Sequence, residues 1–143
     1  MSVEENKKNH RRIIEEVFNN RDLSVIPELV SPDFAYEAFY GKFRGPEGFR
    51  QMCELQNEAF PDLHYTIEDI VGEGDKLVSR LTWSGTFKGN FGGIEPTGKH
   101  IVITEAVFFE YKDGKEKSSL AIADMLSFYQ QAGIEPFENK GDN

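Results

Sequence analysis

The chain has a single cysteine, Cys53, in 143 residues. A lone thiol closes no internal disulfide and builds no cysteine zinc site. Long apolar runs are missing too: no segment approaches the roughly 20 residues a membrane-spanning helix needs, and the opening MSVEENKKNHRR contains no apolar signal segment. Positive charge is scarce. Lys and Arg number 16 against 25 Asp and Glu, a formal charge of −9, which repels phosphate backbones and anionic lipid and leaves no basic stripe for nucleic acid. These absences point to a cytoplasmic protein that partners neither nucleic acid nor membrane. Internal repeats and linkers are lacking as well, and a chain of this length can bury about two thirds of its unfolded surface. One domain over residues 1–136 is expected, with 137–143 as a disordered tail.

What is present segregates helices from strands. Ser2 and Glu5 form a capping-box pattern ahead of Ile13, Ile14, Val17 and Phe18 at helical spacing, and Asn19 and Asn20 stop it. Asp22 can cap a short second helix that ends at Ser31-Pro32. DFAYEAFY reads as a strand. Gly45-Pro46 opens a third helix with Phe49, Met52, Cys53, Gln56 and Phe60 on one face, closed by Pro61. Four strands follow in LHYTIEDIV, KLVSRLTWSGTF, KHIVITEAVFFEY and EKSSLAIAD, with turns at GEGD, GNFGGIEPTG and KDGK. Asp124 then stands as the N-cap of MLSFYQQA, which Gly133 stops. The expectation is α+β: a bent antiparallel sheet wrapped on three helices, leaving a conical cavity open at one end. Cys53 reads as core, His64 and His100 as facing water, and His10 as solvated in a charged turn.

The motifs FRGPEGFRQM, AFPDLHYTIEDIVGEGDKLVSRLTWSGTFKG, GIEPTGKHI, KDGK and DMLSFYQQAG occur in this order. They resemble the SnoaL-like polyketide and ester cyclases of the nuclear-transport-factor-like cone superfamily, from about Asn9 to Gly133. The resemblance implies a cofactor-free enzyme, without a metal, that binds a small hydrophobic carbonyl compound in the cone and moves protons with a buried carboxylate. It also implies association through the sheets. Relatives usually carry His-Trp-Asp before the last helix, and the matching residues here are Ser119, Leu120 and Ala121. Two positions that are often His in the family are Glu37 and Phe87.

Glu105 is the anomaly of the strand TEAVFFEY, because an unpaired charge among apolar residues costs several kcal/mol unless it is paired, exposed or kept for chemistry. Two registers are open. A three-residue loop at Lys112–Gly114 places Glu105 opposite Ala121, where the carboxylate would reappear one strand over, and this is the preferred reading. A two-residue Asp-Gly turn pairs it with Ile122 instead. Alternation in LVSRLTWSG separates Arg80, Thr82 and Ser84 from Leu77, Leu81 and Trp83. With Thr82 taken as opposite Glu105, Arg80 becomes its diagonal partner. The related limonene epoxide hydrolases resemble this layout: Arg80 matches their Arg, while Thr82 and Ala121 stand at their two Asp positions.

The expected roles follow. Glu105 abstracts a proton, Arg80 keeps it ionised, Tyr36 or Tyr40 donates to an enolate oxygen, and Glu37 serves as an acid. Phe49, Met52, Phe60, Ile103, Val107, Phe109 and Ala121 form the walls. The bland alternative for Glu105 is a structural ion pair with Arg80, or an outward position. An apolar convex face of Leu77, Leu81 and Trp83, joined by Phe108 and Leu120, predicts a homodimer through the sheets. The first reading is therefore a cofactor-independent cyclase, isomerase or hydrolase acting on a small hydrophobic carbonyl or epoxide substrate, and its rival is a non-catalytic binder of a hydrophobic small molecule.

Overall fold

A computed structural model describes residues 2–136, so the expected tail lies outside the described residues. Helix α1 spans Val3–Arg12 and is capped by the Ser2 hydroxyl, which accepts from the Glu5 amide at 3.1 Å. The helical run continues as a π-helix, Ile13–Asn19, whose Ile13, Ile14 and Val17 are buried. A short 3₁₀ turn, Leu23–Val25, and α2, Ile26–Leu29, lead into β1, Val30–Ala38, and β2, Gly41–Arg44. Helix α3 spans Gly45–Ala59 with Pro46 in its first turn, where a missing amide costs nothing. Strands β3 (His64–Glu73), β4 (Lys76–Thr86), β5 (His100–Lys112) and β6 (Lys115–Ala123) follow, and α4, Met125–Ala132, closes the order. The side chain of Asp124 caps α4 by accepting from the Ser127 amide.

The six strands form one sheet in the order β2-β1-β6-β5-β4-β3. β1 runs parallel to β6, and the remaining neighbours are antiparallel. Helices cover the inner face. One core cluster joins Ile14, Phe60, Leu77, Leu81, Trp83, Phe87 and Phe128, and a second gathers Ile13, Val17, Leu29, Phe34, Phe49 and Cys53 beneath α3. Two amides reach across to strand edges. Asn19 donates to the Tyr65 carbonyl at 2.9 Å and accepts from the Tyr65 amide at 2.8 Å, on the free edge of β3. Gln131 holds Val102 the same way, at 2.8 and 2.7 Å, beyond the point where β6 has ended.

The β5–β6 hairpin resolves the open register in an unforeseen way. Lys112 pairs with Lys115, so the turn has two residues, with Asp113 at φ 53 and Gly114 at φ 77, the left-handed pair that a tight hairpin needs. The register then shifts between Tyr111 and Glu110, because Tyr111 pairs with Glu116 while Glu110 pairs with Ser118, leaving Lys117 unpaired. Glu105 consequently lies opposite Ala123, and Val107 opposite Ala121. The bulge restores the parity that a two-residue turn alone would have reversed, so Glu105 and Ala121 share the inner face two residues out of the expected register.

Candidate functional site

Inner-face positions of β4 are Leu77, Ser79, Leu81, Trp83 and Gly85, all buried, while Arg80 is exposed. Leu81, not Thr82, is the partner of Glu105. That one-residue difference puts Arg80 and Thr82 on the outer face, so the expected ion pair of Arg80 with Glu105 does not form. The likeness to the epoxide hydrolase Arg and Asp positions fails for the same reason. Leu77, Leu81 and Trp83, expected on the convex face, belong to the core, because the helices need an apolar sheet face to pack on.

Between the inner face and the helices lies a cavity of about 260 Å³. Tyr36, Tyr40, Phe49, Met52, Phe60, Val107, Phe109 and Ala121 all line it. Ile103 does not: it is buried in the core as the cross-strand partner of Trp83. Glu37 reaches only the rim, is exposed, and sits 3.8 Å from Lys42. A place on β1 beside the β2 turn turns it toward water rather than toward a second carboxylate. The Gly-rich loop contributes Phe91, which packs on Phe60 at 5.3 Å between ring centres. Gly92 there has φ +59, and a Cβ would meet the Phe39 ring at 2.5 Å, so only glycine fits.

Glu105 opens onto this cavity among Leu81, Trp83, Val107 and Tyr65. It is partly buried and lines the void. Desolvation by these apolar walls pushes its carboxyl up to about 7, and the nearby Trp83 indole N–H offsets part of the rise. Two phenols share the space. Gln56 donates to the Tyr40 hydroxyl at 2.9 Å, and Tyr40 in turn donates to the Tyr36 hydroxyl, which leaves the Tyr36 proton to be given elsewhere. Burial raises both Tyr36 and Tyr40 above the usual phenol value, so each remains a neutral donor.

Two polar residues at the cavity were missed. His10, read as solvated, is fully buried with its ring 4.7 Å from that of Phe109, and neither ring nitrogen has a hydrogen-bond partner. Burial lowers it to about 4, so it is neutral at pH 7. Glu116 is only 3% exposed, and burial pushes it up to about 8. The signal for His10 was available: it lies three and four residues before Ile13 and Ile14, on the same helical stripe. Glu116 carried no such signal, because its facing depends on the two-residue turn that pairs it with Tyr111, and the residue pattern leaves that register open. Cys53 is buried as core with its thiol pushed up, and His64 and His100 are exposed, as read.

Comparison with known proteins decides the kinship. The profile of the SnoaL-like polyketide cyclases matches residues 8–132. The chain belongs to the SnoaL-like polyketide cyclase family. TsrD from Streptomyces laurentii superposes with a TM-score of 0.84 at 24% identity, covering 94% of this chain and 99% of that one. IdmH from Streptomyces antibioticus, a proposed polyketide cyclase, gives 0.75 at 27% identity over 90% and 99% of the two chains. AclR from Streptomyces galilaeus, a proposed hydroxylase, gives 0.75 at 26% identity over 97% and 87%. No curated protein matches the chain significantly. Among the described residues no helix is long and apolar enough to cross a membrane, and no group of three or more His, Cys, Asp or Glu could hold a metal ion.

Proposed function

We propose that this SnoaL-like chain is a proton-transfer enzyme acting on a small hydrophobic carbonyl compound, with Glu105 as the general base. The observation that carries the reading is the Glu105 carboxyl, held near 7 inside an apolar cavity beside two phenols that stay protonated. In the reaction, the C–H bond next to the substrate carbonyl breaks, its proton passes to a Glu105 carboxylate oxygen, and the electron pair moves onto the carbonyl oxygen as an enolate. Tyr36 donates to that oxygen. The enolate carbon then bonds to a second carbonyl carbon within the same molecule, closing a ring while that carbonyl's π pair becomes an alkoxide that takes the proton back from Glu105, or the enolate is reprotonated by Glu105 at another carbon.

Deuterium exchange tests this without knowledge of the natural substrate. In D₂O, 2-tetralone should lose its α-protons faster with the protein than without it, and Glu105→Gln should slow the protein-dependent rate by about 10²-fold or more. Asp124→Asn, which touches only the α4 cap, should leave the rate unchanged. An unchanged rate in Glu105→Gln rejects the assignment. The rival reading, a cone that binds without catalysis, has one observation in its favour: Ala121 stands on the cavity wall where relatives hold a carboxylate. Binding of 2-tetralone with no exchange in the wild type would select it.

We also propose a homodimer through the outer face of the sheet. Exposed Val71, Phe108 and Leu120 form one cross-strand row with Val78, and Ile122 lies beside it. Asp69 and Arg80 flank the row as exposed neighbours of opposite sign, which a two-fold axis can pair between copies.

A further inference from the structure

The cavity has two chemically different ends, and only one of them holds Glu105. Helix α1 crosses the β5–β6 hairpin, where the Asn9 side-chain amide donates to the Gly114 carbonyl at 2.6 Å. The next residue, His10, lies against Phe109, and two residues further along β5 Tyr111 pairs with Glu116. His10 and Glu116 therefore meet the cavity at the hairpin end. Glu105 stands six positions back along β5 from Tyr111, about 20 Å along the strand at ~3.3 Å per residue.

Three features mark the hairpin end as built for a ligand group. Both nitrogens of His10 are buried without partners, as are the side-chain amide of Asn6 four residues earlier and the hydroxyl of Tyr111, the partner of Glu116, and burial alone acts on the 3%-exposed Glu116 carboxyl. Such groups destabilise a fold that gains nothing from them. Second, Glu116 faces inward as the cross-strand partner of Tyr111, although Leu120, an even number of residues on, faces outward, because the Lys117 bulge reverses the alternation between them. The two-residue turn and the bulge together thus set Glu116 inside while the outer row is kept. Third, among the described residues no Lys or Arg lines the cavity, so an anion finds no counter-charge from them at either end.

We infer that the hairpin end binds an uncharged hydroxyl or carbonyl of an otherwise apolar ligand, with Glu116 and His10 as its hydrogen-bonding partners. The imidazole offers one N–H and one lone pair, and the carboxylic acid offers one O–H and a carbonyl oxygen. A hydroxyl can accept from one and donate to the other. The ligand class is then a compact apolar molecule with a neutral oxygen group placed away from the carbon that Glu105 addresses. This rests on the reading that the cavity takes an apolar carbonyl compound, but not on catalysis by Glu105.

The experiment compares probes rather than turnover. Titration calorimetry would measure naphthalene, 2-naphthol and 2-naphthoate binding to the full chain. Wild type should bind 2-naphthol about tenfold tighter than naphthalene, the size of one hydrogen bond between neutral groups, and should bind 2-naphthoate most weakly. Glu116→Leu and His10→Phe should each lose the preference for 2-naphthol, whereas Glu105→Gln keeps it. Glu116→Leu should also raise the melting temperature of the free protein by a few degrees, the mark of a group kept for binding at a cost in stability. Glu116→Gln, which preserves shape and hydrogen bonding, should retain at least half of the preference and serves as the check on folding. Retention of the full preference in both Glu116→Leu and His10→Phe would overturn the inference, as would tighter binding of 2-naphthoate than of 2-naphthol, or no binding of 2-naphthol at all. A failure of Glu105→Gln to slow exchange would leave these ratios untouched.

Discussion

At the scale of single residues, the protonation of three buried groups makes stability depend on pH in a way that can be worked out. The folded values of Glu105 and Glu116, about 7 and about 8, lie above the ordinary 4.5. From 4.5 upward the unfolded chain therefore releases these protons first, and stability falls as pH rises through that window. His10 acts oppositely between about 4 and 6.5, because the unfolded chain holds its proton longer and stability rises with pH. The two effects offset one another in the acid range. Above 6.5 His10 is neutral in both states, so the melting temperature should drop between pH 6.5 and 8, and the drop should shrink in Glu116→Gln as followed by circular dichroism. A matching rise of kcat/KM through about pH 7 is expected for any substrate whose proton Glu105 removes. The sequence exposed Glu105 because a carboxylate interrupts an apolar run. It misplaced Arg80 because setting Thr82 opposite Glu105, one residue from the observed Leu81, inverts every side chain of β4 and turns outward the apolar stripe Leu77, Leu81 and Trp83 on which the helices pack.

At the scale of elements, caps and punctuation were legible while register was not. Ser2, Asp124, Pro46 and Gly133 mark real helix ends because each acts within one turn of backbone. Register depends on counting across loops. Between Thr86 and His100 the residue pattern does not count the connection for the reader, and a slip of one inverts every side chain of β4. The β5–β6 hairpin is harder still, since its tight Asp113-Gly114 turn and the Lys117 bulge shift parity in opposite senses. Deleting Lys117 tests this account. The hairpin would regain an uninterrupted ladder with Glu116 still opposite Tyr111 on the inner face, so the preference for 2-naphthol should persist while the far-ultraviolet spectrum stays native. Replacing Gly114 by Ala instead strains a left-handed position and should cost about 1 kcal/mol by urea unfolding, without altering ligand preference.

For the whole molecule, the corrected faces move the test of assembly. Trp83 lines the cavity, so changing it would probe binding rather than association. Phe108, 46% exposed at the centre of the outer row, is the proper site. Light scattering at micromolar concentration should show a dimer for the wild type and a monomer for Phe108→Glu. A monomeric wild type would reject the assembly while leaving the cavity argument intact, because the two faces of the sheet are now assigned by observed burial. The side-chain clamps at Tyr65 and Val102 carry a consequence for chemical ageing. Each clamp needs an amide, one atom donating and one accepting, and loss of ammonia from Asn19 or Gln131 leaves a carboxylate that can only accept. The strand carbonyl beneath it then loses its donor, and an edge that was capped becomes open to pairing with another chain. The shelf life of this protein is thus tied to the integrity of two carboxamides, and aged samples should aggregate before they lose their capacity to bind.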